Sequence, residues 1–383
     1  MTLTRFITKS AFRNKWRSVL TVLSIAFSLL LLTLMMTIWH AFYMRENSEQ
    51  ESQRLVTRHR VSLTFMLPMY YRQKIKTIPG VVDVVPVQWF GGLYIDDKPE
   101  HFFANFGTDP DNFFKIYPDL KIPTEQVSAW QHDRQGVVVD VGLAKKFGWK
   151  LGDRIVLKGT IFPVNLELNI RGIFEPKTPT QSVYFNWKYV EEAVAFAKDQ
   201  AGTFGIMADS PEHVSGIAAA VDDMFHNSPQ PTKTETELAF QLGFIAMLGN
   251  VKAFILSICA AVVFATLLVS ANTMAMSIRE RTREVAVLKT LGYTRGTVLG
   301  LFVSEAVVVA LIGGVLGIVA ATGLIFAMAH SPQGGLFLAG VKVNAPTVLL
   351  AIVVAGLVGF ISAMVPSYHA AKVDIVEGLR YIG

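Results

Sequence analysis

The chain has 383 residues, of which 51% are hydrophobic and only 17% are charged, and its formal net charge is +5. Soluble domains carry about 25% charged residues, so the composition excludes a disordered chain and a charge-rich coiled coil. The single cysteine, Cys259, excludes a disulfide scaffold. The composition therefore indicates a membrane protein with a substantial polar part.

Four apolar stretches are long enough to cross a bilayer, which takes about 20 helical residues. The predicted transmembrane helices are residues 19–39, 253–278, 296–329 and 343–371. The first stretch exceeds the apolar core of a signal peptide, and no small-x-small cleavage site follows it. We therefore predict an α-helical membrane protein with four transmembrane helices, one and then three, separated by a large domain.

Basic residues cluster on one side of these helices. Residues 1–18, the loop 279–295 and the tail 372–383 together carry 12 Lys/Arg against 4 Asp/Glu. The positive-inside rule then predicts that both termini and this loop are cytoplasmic, and that residues 40–252 lie outside. Residues 1–18 are predicted to form an amphipathic interfacial helix. This topology accounts for the positive charge, which gives no indication of nucleic-acid binding.

The extracytoplasmic segment 40–252 is long enough to be a domain of its own. Its charged beginning, 40–60, and its end, 240–251, are predicted to be stalk helices. Alternating and β-branched runs between them predict an α+β domain with a β-rich insertion near 95–180. The predicted strands are 60–65, 81–90, 136–140, 154–158, 164–174 and 203–208, and the predicted helices are 67–78, 141–147 and one capped by Ser210 that ends near Phe225.

The usual motifs of catalytic and metal sites are missing from the sequence. It contains no G-x-x-x-x-G-K-[ST] phosphate loop, no C-x-x-C, no H-E-x-x-H and no G-x-S-x-G, and its eight histidines have no helical ligand spacing. We therefore predict a chain that is not an enzyme and has no catalytic, cofactor-binding or metal-binding residues.

The loop 279–295 carries the most informative pattern. Its polar residues are Arg279, Glu280, Arg281, Thr282, Arg283, Glu284 and Lys289, and Gly292 follows as a helix terminator. A topology signal alone would explain the basic residues, but not the interleaved acids or the apolar edge of Val285, Leu288 and, beyond them, Leu291. A docking helix explains all three features. We expect Arg281, Arg283 and Glu284 to face a cytoplasmic partner, and Val285 and Leu288 to pack against the membrane helices.

Four residues inside the predicted spans stand out. Gly313 and Gly317 are spaced for close helix packing. Asn272 suits either a hydrogen bond at a dimer interface or a position among lipid headgroups. Glu305 is either a functional intramembrane acid or a residue shallow enough to reach the headgroups, and its position about 15 Å along the helix from Arg295 favours the shallow placement.

The segment from Glu280 to Gly292 resembles the coupling-helix signature of the FtsX-like permease family, the transmembrane subunits of macrolide-exporter-type (type VII) ABC transporters. The resemblance extends over essentially the whole chain. It includes Glu305-Ala306, the run Gly313-Gly314-x-x-Gly317, Ile78–Val81, Leu143–Asp153 and Pro366–Arg380, although Ile375 stands where proline is common in the family.

This resemblance implies a bacterial cytoplasmic (inner) membrane protein with a periplasmic core domain. It implies a second permease chain, identical or paralogous, and two copies of a cytoplasmic ABC ATPase that bind ATP and Mg, while this chain binds no cofactor. ATP-driven motion would pass to the outer domain by mechanotransmission, for export or extraction of a hydrophobic, lipid-like or lipoprotein substrate. Membrane lipids are expected partners, and the sequence leaves open a periplasmic adaptor or membrane-fusion protein.

Two other functions are compatible with parts of the sequence. An FtsX-like signalling permease would switch an extracytoplasmic partner without transporting a substrate, although its outer domain is usually smaller. A membrane-anchored receptor without an ATPase would leave the coupling signature unexplained.

Overall fold

The computed structural model describes residues 15–44, 49–177, 180–247, 250–329 and 341–372. The chain divides into two compact units, one made by the long helices and the other by the segment between the first and second of them. Residues 1–14 of the predicted interfacial helix and residues 373–383 of the predicted tail lie outside the described residues.

The helices, in chain order, are α1 (Lys15–Tyr43), α2 (Glu49–Ser52), α3 (Tyr70–Ile75), α4 (Phe113–Ile116), α5 (Thr124–His132), α6 (Val141–Phe147), α7 (Lys188–Ala193), α8 (Val214–Phe225), α9 (Glu237–Met247), α10 (Val251–Glu280), α11 (Thr282–Thr290), α12 (Arg295–Ala329) and α13 (Ala345–Lys372). The strands are β1 (Arg54–His59), β2 (Leu67–Pro68), β3 (Val81–Trp89), β4 (Leu93–Tyr94), β5 (Ala104–Thr108), β6 (Gly136–Asp140), β7 (Arg154–Lys158), β8 (Asn165–Phe174), β9 (Ser182–Asn186), β10 (Gln200–Ala201), β11 (Thr203–Ala208) and β12 (Thr232–Thr236).

Helices α1, α10, α12 and α13 are long and apolar enough to cross a bilayer, with mean hydropathies of 2.5, 2.6, 2.5 and 2.8 in their most apolar windows. One precedes the α+β unit and three follow it. The structure therefore confirms the predicted fold class of four membrane helices with a large domain after the first.

Within this bundle, α12 packs most extensively against α13 and α1. Glycines set the closest approaches. A Cβ atom on Gly317 would lie 2.5 Å from the carbonyl oxygen of Ala26 in α1, and one on Gly313 would lie 2.9 Å from the Cβ atom of Ile25. Because neither glycine has a side chain, the backbones of α12 and α1 come almost into contact there.

The α+β unit is built on a ten-stranded mixed sheet with the order β12-β1-β11-β3-β5-β9-β6-β8-β7-β4. The pairs β5–β9 and β6–β8 are parallel, whereas β1 pairs antiparallel with both β11 and β12. The unit's first strand therefore lies beside its last one, β12, which continues directly into α9. This places the chain segments that lead from α1 and toward α10 next to each other in the sheet.

Aromatic and aliphatic side chains fill the two ends of this sheet separately. Tyr71 of α3 stacks on Phe225 of α8 with ring centroids 3.8 Å apart, over Phe204 and Ile206 of β11. A second core gathers around Phe90 and Phe185, which flank the β-rich insertion, and buried side chains of that insertion such as Val137 and Leu168. The predicted strands 81–90, 136–140, 154–158, 164–174 and 203–208 and the helix 141–147 are all confirmed within one residue.

The prediction for residues 40–65 is wrong in two respects. The charged segment was expected to be helical as far as residue 60, but β1 begins at Arg54, and the expected strand 60–65 is a loop. The physical reason is that the charges are neutralised inside the unit. Arg54 pairs with Asp119 and Glu237, and Arg58 with Glu235, so a charge-rich sequence can form an interior strand.

Two helix starts also differ from expectation. Leu67 and Pro68 pair with β10, so the helix expected over 67–78 is limited to α3. Helix α8 begins at Val214, and the hydroxyl of Ser210 is buried with no hydrogen-bond partner among the described residues, so it does not cap the helix.

Candidate coupling site

Helix α11 is the short helix between two long ones, α10 and α12, and it is separated from α10 only by Arg281. The amide of Arg281 donates to the carbonyl of Ile278, and its own carbonyl accepts from Val285 at 3.1 Å. Arg281 is therefore both the C-cap of α10 and the N-cap of α11. We call this junction between the two helices the corner.

Gly292 ends α11 as its position predicted. Its φ of +90° is in the left-handed region that favours glycine. The amide of Tyr293 donates to the carbonyl of Leu288, and that of Gly292 donates to the carbonyl of Lys289, both at 3.1 Å. This pair of bonds is a Schellman motif, which stops the helix and turns the chain toward α12.

The inner face of α11 packs on the helix bundle. Val285 is 1% exposed and lies in one apolar cluster with Ile278, Val298 and Phe302, with Leu288 packed against it. The expectation that Val285 and Leu288 pack against the membrane helices is confirmed. These contacts fix which face of α11 is turned away from the bundle.

The opposite face of α11 and its flanks combine basic and apolar side chains. Arg279, Glu280 and Arg283 are exposed. The exposed apolar residues are Val287 (43%), Leu291 (70%) and Tyr293 (45%). We call this set, Arg279, Glu280, Arg283, Val287, Leu291 and Tyr293, the outer face of the coupling segment.

Arg281 does not belong to this face, contrary to the expectation that it points to a partner. Its side chain is 11% exposed and turns into the bundle, where Nη1 donates to both carboxylate oxygens of Glu305 at 3.1 and 2.8 Å. Its Nε donates to Glu284 at 3.1 Å. Burial lowers the pKa of Arg281, but Glu305 and Glu284 outweigh it and raise that pKa above its ordinary value, so the guanidinium stays charged.

Glu305 is enclosed by the helix bundle: its side chain is 8% exposed and paired with Arg281. Its depth in the bilayer stays a prediction. An acid inside a membrane segment normally requires a cation beside it. This rule could have indicated from the sequence that Glu305 has a cationic partner. The sequence does not reveal which of the five basic residues in the loop 279–295 is that partner.

The remaining predicted residues are dispersed around the site. Glu280 forms a two-point ion pair with Arg17 of α1, at 2.7 and 2.5 Å. Thr282 donates its hydroxyl to the carbonyl of Arg279. Asn272 is exposed on α10, so the dimer contact proposed for it involves a surface that a single chain leaves open.

A second buried ionic cluster, which sequence analysis missed, lies in the α+β unit. Arg54 of β1 contacts Asp119 and, at 2.5 Å, Glu237 at the start of α9, while its guanidinium lies 4.9 Å above the Tyr117 ring. Burial raises the pKa of Glu237, as do the neighbouring carboxylates, although Arg54 lowers it. The partners are 183 and 65 residues apart in the chain, too distant for a sequence pattern to pair them.

The architecture and the coupling segment can be compared with known proteins. The model of the MacB-like periplasmic core domain matches residues 18–224, more than half of the chain, and that of the FtsX-like permease C-terminal matches residues 252–375. The chain belongs to the MacB/FtsX-like family of ABC transporter permeases. The resemblance stated from the coupling segment is therefore confirmed.

The individual proteins that this chain is similar to are named as ABC transporter permeases or macrolide export proteins. The uncharacterized ABC transporter permease YvrN of Bacillus subtilis (strain 168) is 26% identical over 306 residues, 72% of this chain and 69% of YvrN. The uncharacterized ABC transporter permease YknZ of the same organism is 37% identical over 253 residues, 62% of this chain and 61% of YknZ. The macrolide export ATP-binding/permease protein MacB of Chromobacterium violaceum is 33% identical over 110 residues, 28% of this chain and 16% of MacB.

Membership in this family makes the chain a multi-pass membrane permease with a MacB-like periplasmic core domain between its first and second spans. It also implies an ATPase partner that uses ATP and Mg, because permeases of ABC transporters act with an ATPase.

Proposed function

We propose that this permease couples ATP hydrolysis by a separate ATPase subunit to movement of its extracytoplasmic domain. The mechanism would be mechanotransmission, serving export or extraction of a hydrophobic, lipid-like or lipoprotein substrate. The observation that carries the proposal is α11, a short helix held to the bundle by one face and exposing charged and apolar side chains on the other.

The composition of the outer face supports docking of a protein rather than contact with water or lipid alone. Arg283 is exposed beside Val287, Leu291 and Tyr293. Arginine and aromatic residues surrounded by apolar area are typical of protein interfaces. An ATPase subunit with a complementary apolar and acidic recess would bury this surface.

The proposed assembly has two permease chains, identical or paralogous, and two ATPase copies in the cytoplasm. The chain would lie in the bacterial inner membrane with both termini cytoplasmic. Asn272 remains the proposed polar contact between permease chains, and Arg279, Glu280, Thr282, Lys289 and Gly292 the proposed neighbours of the ATPase surface. ATP and Mg would bind to the ATPase, and the isolated permease would not hydrolyse ATP.

The match of residues 18–224 to a MacB-like core supports transport over the signalling alternative. Proteins named MacB are macrolide export proteins, whereas a signalling permease would need only a site for its outer partner. The same match to a MacB-like core supports a periplasmic adaptor as a further proposed partner.

Arg283→Glu tests the docking role directly. The Arg283 side chain is exposed, so reversing its charge is expected to leave folding intact, because exposed charges contribute only about 0–1 kcal/mol to stability. We expect the variant to insert normally but to lose most of the ATPase that co-purifies with the wild-type chain. Glu284→Lys is a poorer test, since it would place a second cation against the buried Arg281.

The matched control is Lys372→Glu, which reverses an exposed charge at the end of α13. It is expected to retain the ATPase. If Arg283→Glu bound and stimulated the ATPase as the wild type does, α11 would not be the docking helix, and its charges would serve topology alone.

A further inference from the structure

A buried ion pair connects the corner before α11 to the interior of α12. The guanidinium of Arg281 reaches both oxygens of Glu305, at 3.1 and 2.8 Å, and its carbon lies 5.3 Å above the ring of Phe302. Phe302 and Glu305 are one turn apart and therefore project from the same side of α12. Arg281 therefore contacts two residues of α12, Phe302 and Glu305, that lie one helical turn apart.

Stability alone does not account for this pair. Both side chains are about nine-tenths buried, and removing two charges from water costs more than most such pairs recover. Apolar residues of similar volume would hold two helices together at least as well. What the arginine adds is a fixed orientation, because its planar guanidinium donates from Nη1 to Glu305 and from Nε to Glu284, and few orientations satisfy both carboxylates.

The position of Arg281, between α10 and α11, indicates what this fixed orientation can do. Val285 and Leu288 attach α11 to the bundle by apolar contacts, which have no preferred direction. Arg281 is the residue at which α10 ends and α11 begins, so a displacement of α11 moves its side chain directly. A directional bond between Arg281 and Glu305 would therefore transmit a displacement of α11 to α12.

The path continues beyond Glu305. Farther along α12, Gly313 and Gly317 lie in near backbone contact with Ile25 and Ala26 of α1, and α1 is the helix that leads to the α+β unit. Movement of α12 along its axis would therefore be resisted by, and passed to, α1.

We propose that Arg281 is a positioning residue that locks the coupling helix to α12 through Glu305, so that force on α11 reaches the outer domain by way of α12 and α1. The inference rests on the proposed function, because it takes an ATPase on α11 as the source of force. It adds the specific bond by which that force enters the bundle.

The decisive variant replaces both partners, Arg281→Met with Glu305→Leu. Replacing one alone would remove the main counter-charge of a buried group, although Arg281 would keep Glu284, and could prevent folding. The apolar pair keeps the volume and removes the Arg281–Glu305 bond. Arg281→Lys retains the charge without the planar fork and gives a graded intermediate. The control, Ser270→Ala with Ser362→Ala, removes another buried polar contact, the 2.8 Å hydroxyl pair between α10 and α13.

The measurement uses the full chain with its co-purified ATPase in lipid nanodiscs. Cys259→Ala removes the native thiol, and Asp97→Cys with Leu349→Cys introduces exposed sites for spin labels in the outer domain and in the membrane unit. The label-to-label distance distribution is recorded with and without ATP, with labelled chains diluted among unlabelled ones. ATPase binding, ATP hydrolysis and thermal stability are measured on the same samples.

We expect the wild type and the serine control to show an ATP-induced shift in distance. The Met/Leu pair should lose the shift while still binding the ATPase and hydrolysing ATP, and Arg281→Lys should keep part of it. A wild-type shift in the Met/Leu pair would overturn the positioning role and leave the proposed function intact. Loss of ATPase binding in that pair would also overturn it, since Arg281 would then belong to the docking surface. Absence of ATPase binding or of any shift in the wild type would overturn both proposals.

Discussion

Arg54 illustrates what a single cation does in this fold. It is the first residue of β1, its side chain is 5% exposed, and it holds Asp119 from the insertion and Glu237 from α9 together. Glu237 begins the helix that leads toward α10, so one side chain connects the two chain segments by which the α+β unit is attached to the membrane helices. Burial and the neighbouring acids raise the pKa of Glu237, whereas Arg54 lowers it, so the guanidinium favours the charged form of this carboxylate.

Removing that guanidinium should therefore be costly. Arg54→Met leaves Asp119 and Glu237 close together with no cation between them, and we expect a loss of about 3–5 kcal/mol in the free energy of unfolding. Chemical denaturation of the purified chain, followed by tryptophan fluorescence, measures this loss.

The matched control is Arg154→Met, which breaks an ion pair with Glu167 whose side chains are 56% and 51% exposed. Exposed pairs contribute about 0–1 kcal/mol, so this variant should be close to the wild type. Equal losses in the two variants would mean that the buried ion pairs of Arg54 contribute no more than an exposed pair, and the prediction would be wrong.

Arg281 shows the limit of a residue-scale prediction from sequence. The pattern of the loop 279–295 identified a charged helix and its apolar side, and Val285 and Leu288 are where they were expected. It could not identify which arginine turns inward, because the attracting carboxylate of Glu305 is 24 residues away on another helix.

At the scale of elements, α12 is the centre of the membrane unit because of its small residues. Gly313 and Gly317 face α1, while Gly359 of α13 faces α12, where a Cβ atom would lie 2.8 Å from the Cα atom of Val307. Helices in lipid gain no hydrophobic energy by associating, so close van der Waals contact of this kind is what holds them together.

Gly317→Ala should disturb this contact. The added Cβ atom would lie 2.5 Å from the carbonyl oxygen of Ala26 and 3.0 Å from the amide nitrogen of Leu30, both backbone atoms that cannot rotate away. We expect the helices to separate slightly and stability to fall by about 1–3 kcal/mol. Thermal unfolding in detergent, compared across variants, provides the measurement.

Gly323→Ala in the same helix is the control, because no heavy atom lies within 4 Å of the position of its added Cβ atom. Alanine there should be neutral or stabilising, by up to about 1 kcal/mol of helix propensity. A Gly317→Ala variant as stable as Gly323→Ala would show that α12 and α1 can move apart without cost.

At the scale of the whole molecule, the organisation is one span, a MacB-like core domain and three spans. The distribution of Lys/Arg predicts which side of the membrane each part occupies. A reporter fused at Asp97 is expected to be extracytoplasmic, and reporters at Lys289 and Gly383 cytoplasmic. Paired alkaline phosphatase and fluorescent-protein fusions read the two sides independently, and a cytoplasmic signal at Asp97 would contradict the orientation of the entire chain.

The sequence by itself determined the features that depend on neighbouring residues. Each of the four long helices is a predominantly apolar stretch of sequence, and the end of α11 at Gly292 follows from one residue with a left-handed backbone. Strands such as Val81–Trp89 were predictable because β-branched residues bounded by turn residues have few other stable conformations.

Only the tertiary structure decided the features that join distant residues. The charged segment starting at Arg54 became an interior strand because Asp119, Glu235 and Glu237 neutralise its arginines. Arg281 turns inward because its guanidinium pairs with the buried carboxylate of Glu305 and lies over the ring of Phe302. In both cases the free-energy cost of burying a charge is offset only when an opposite charge is buried beside it. No local sequence pattern specifies which distant residue provides that opposite charge.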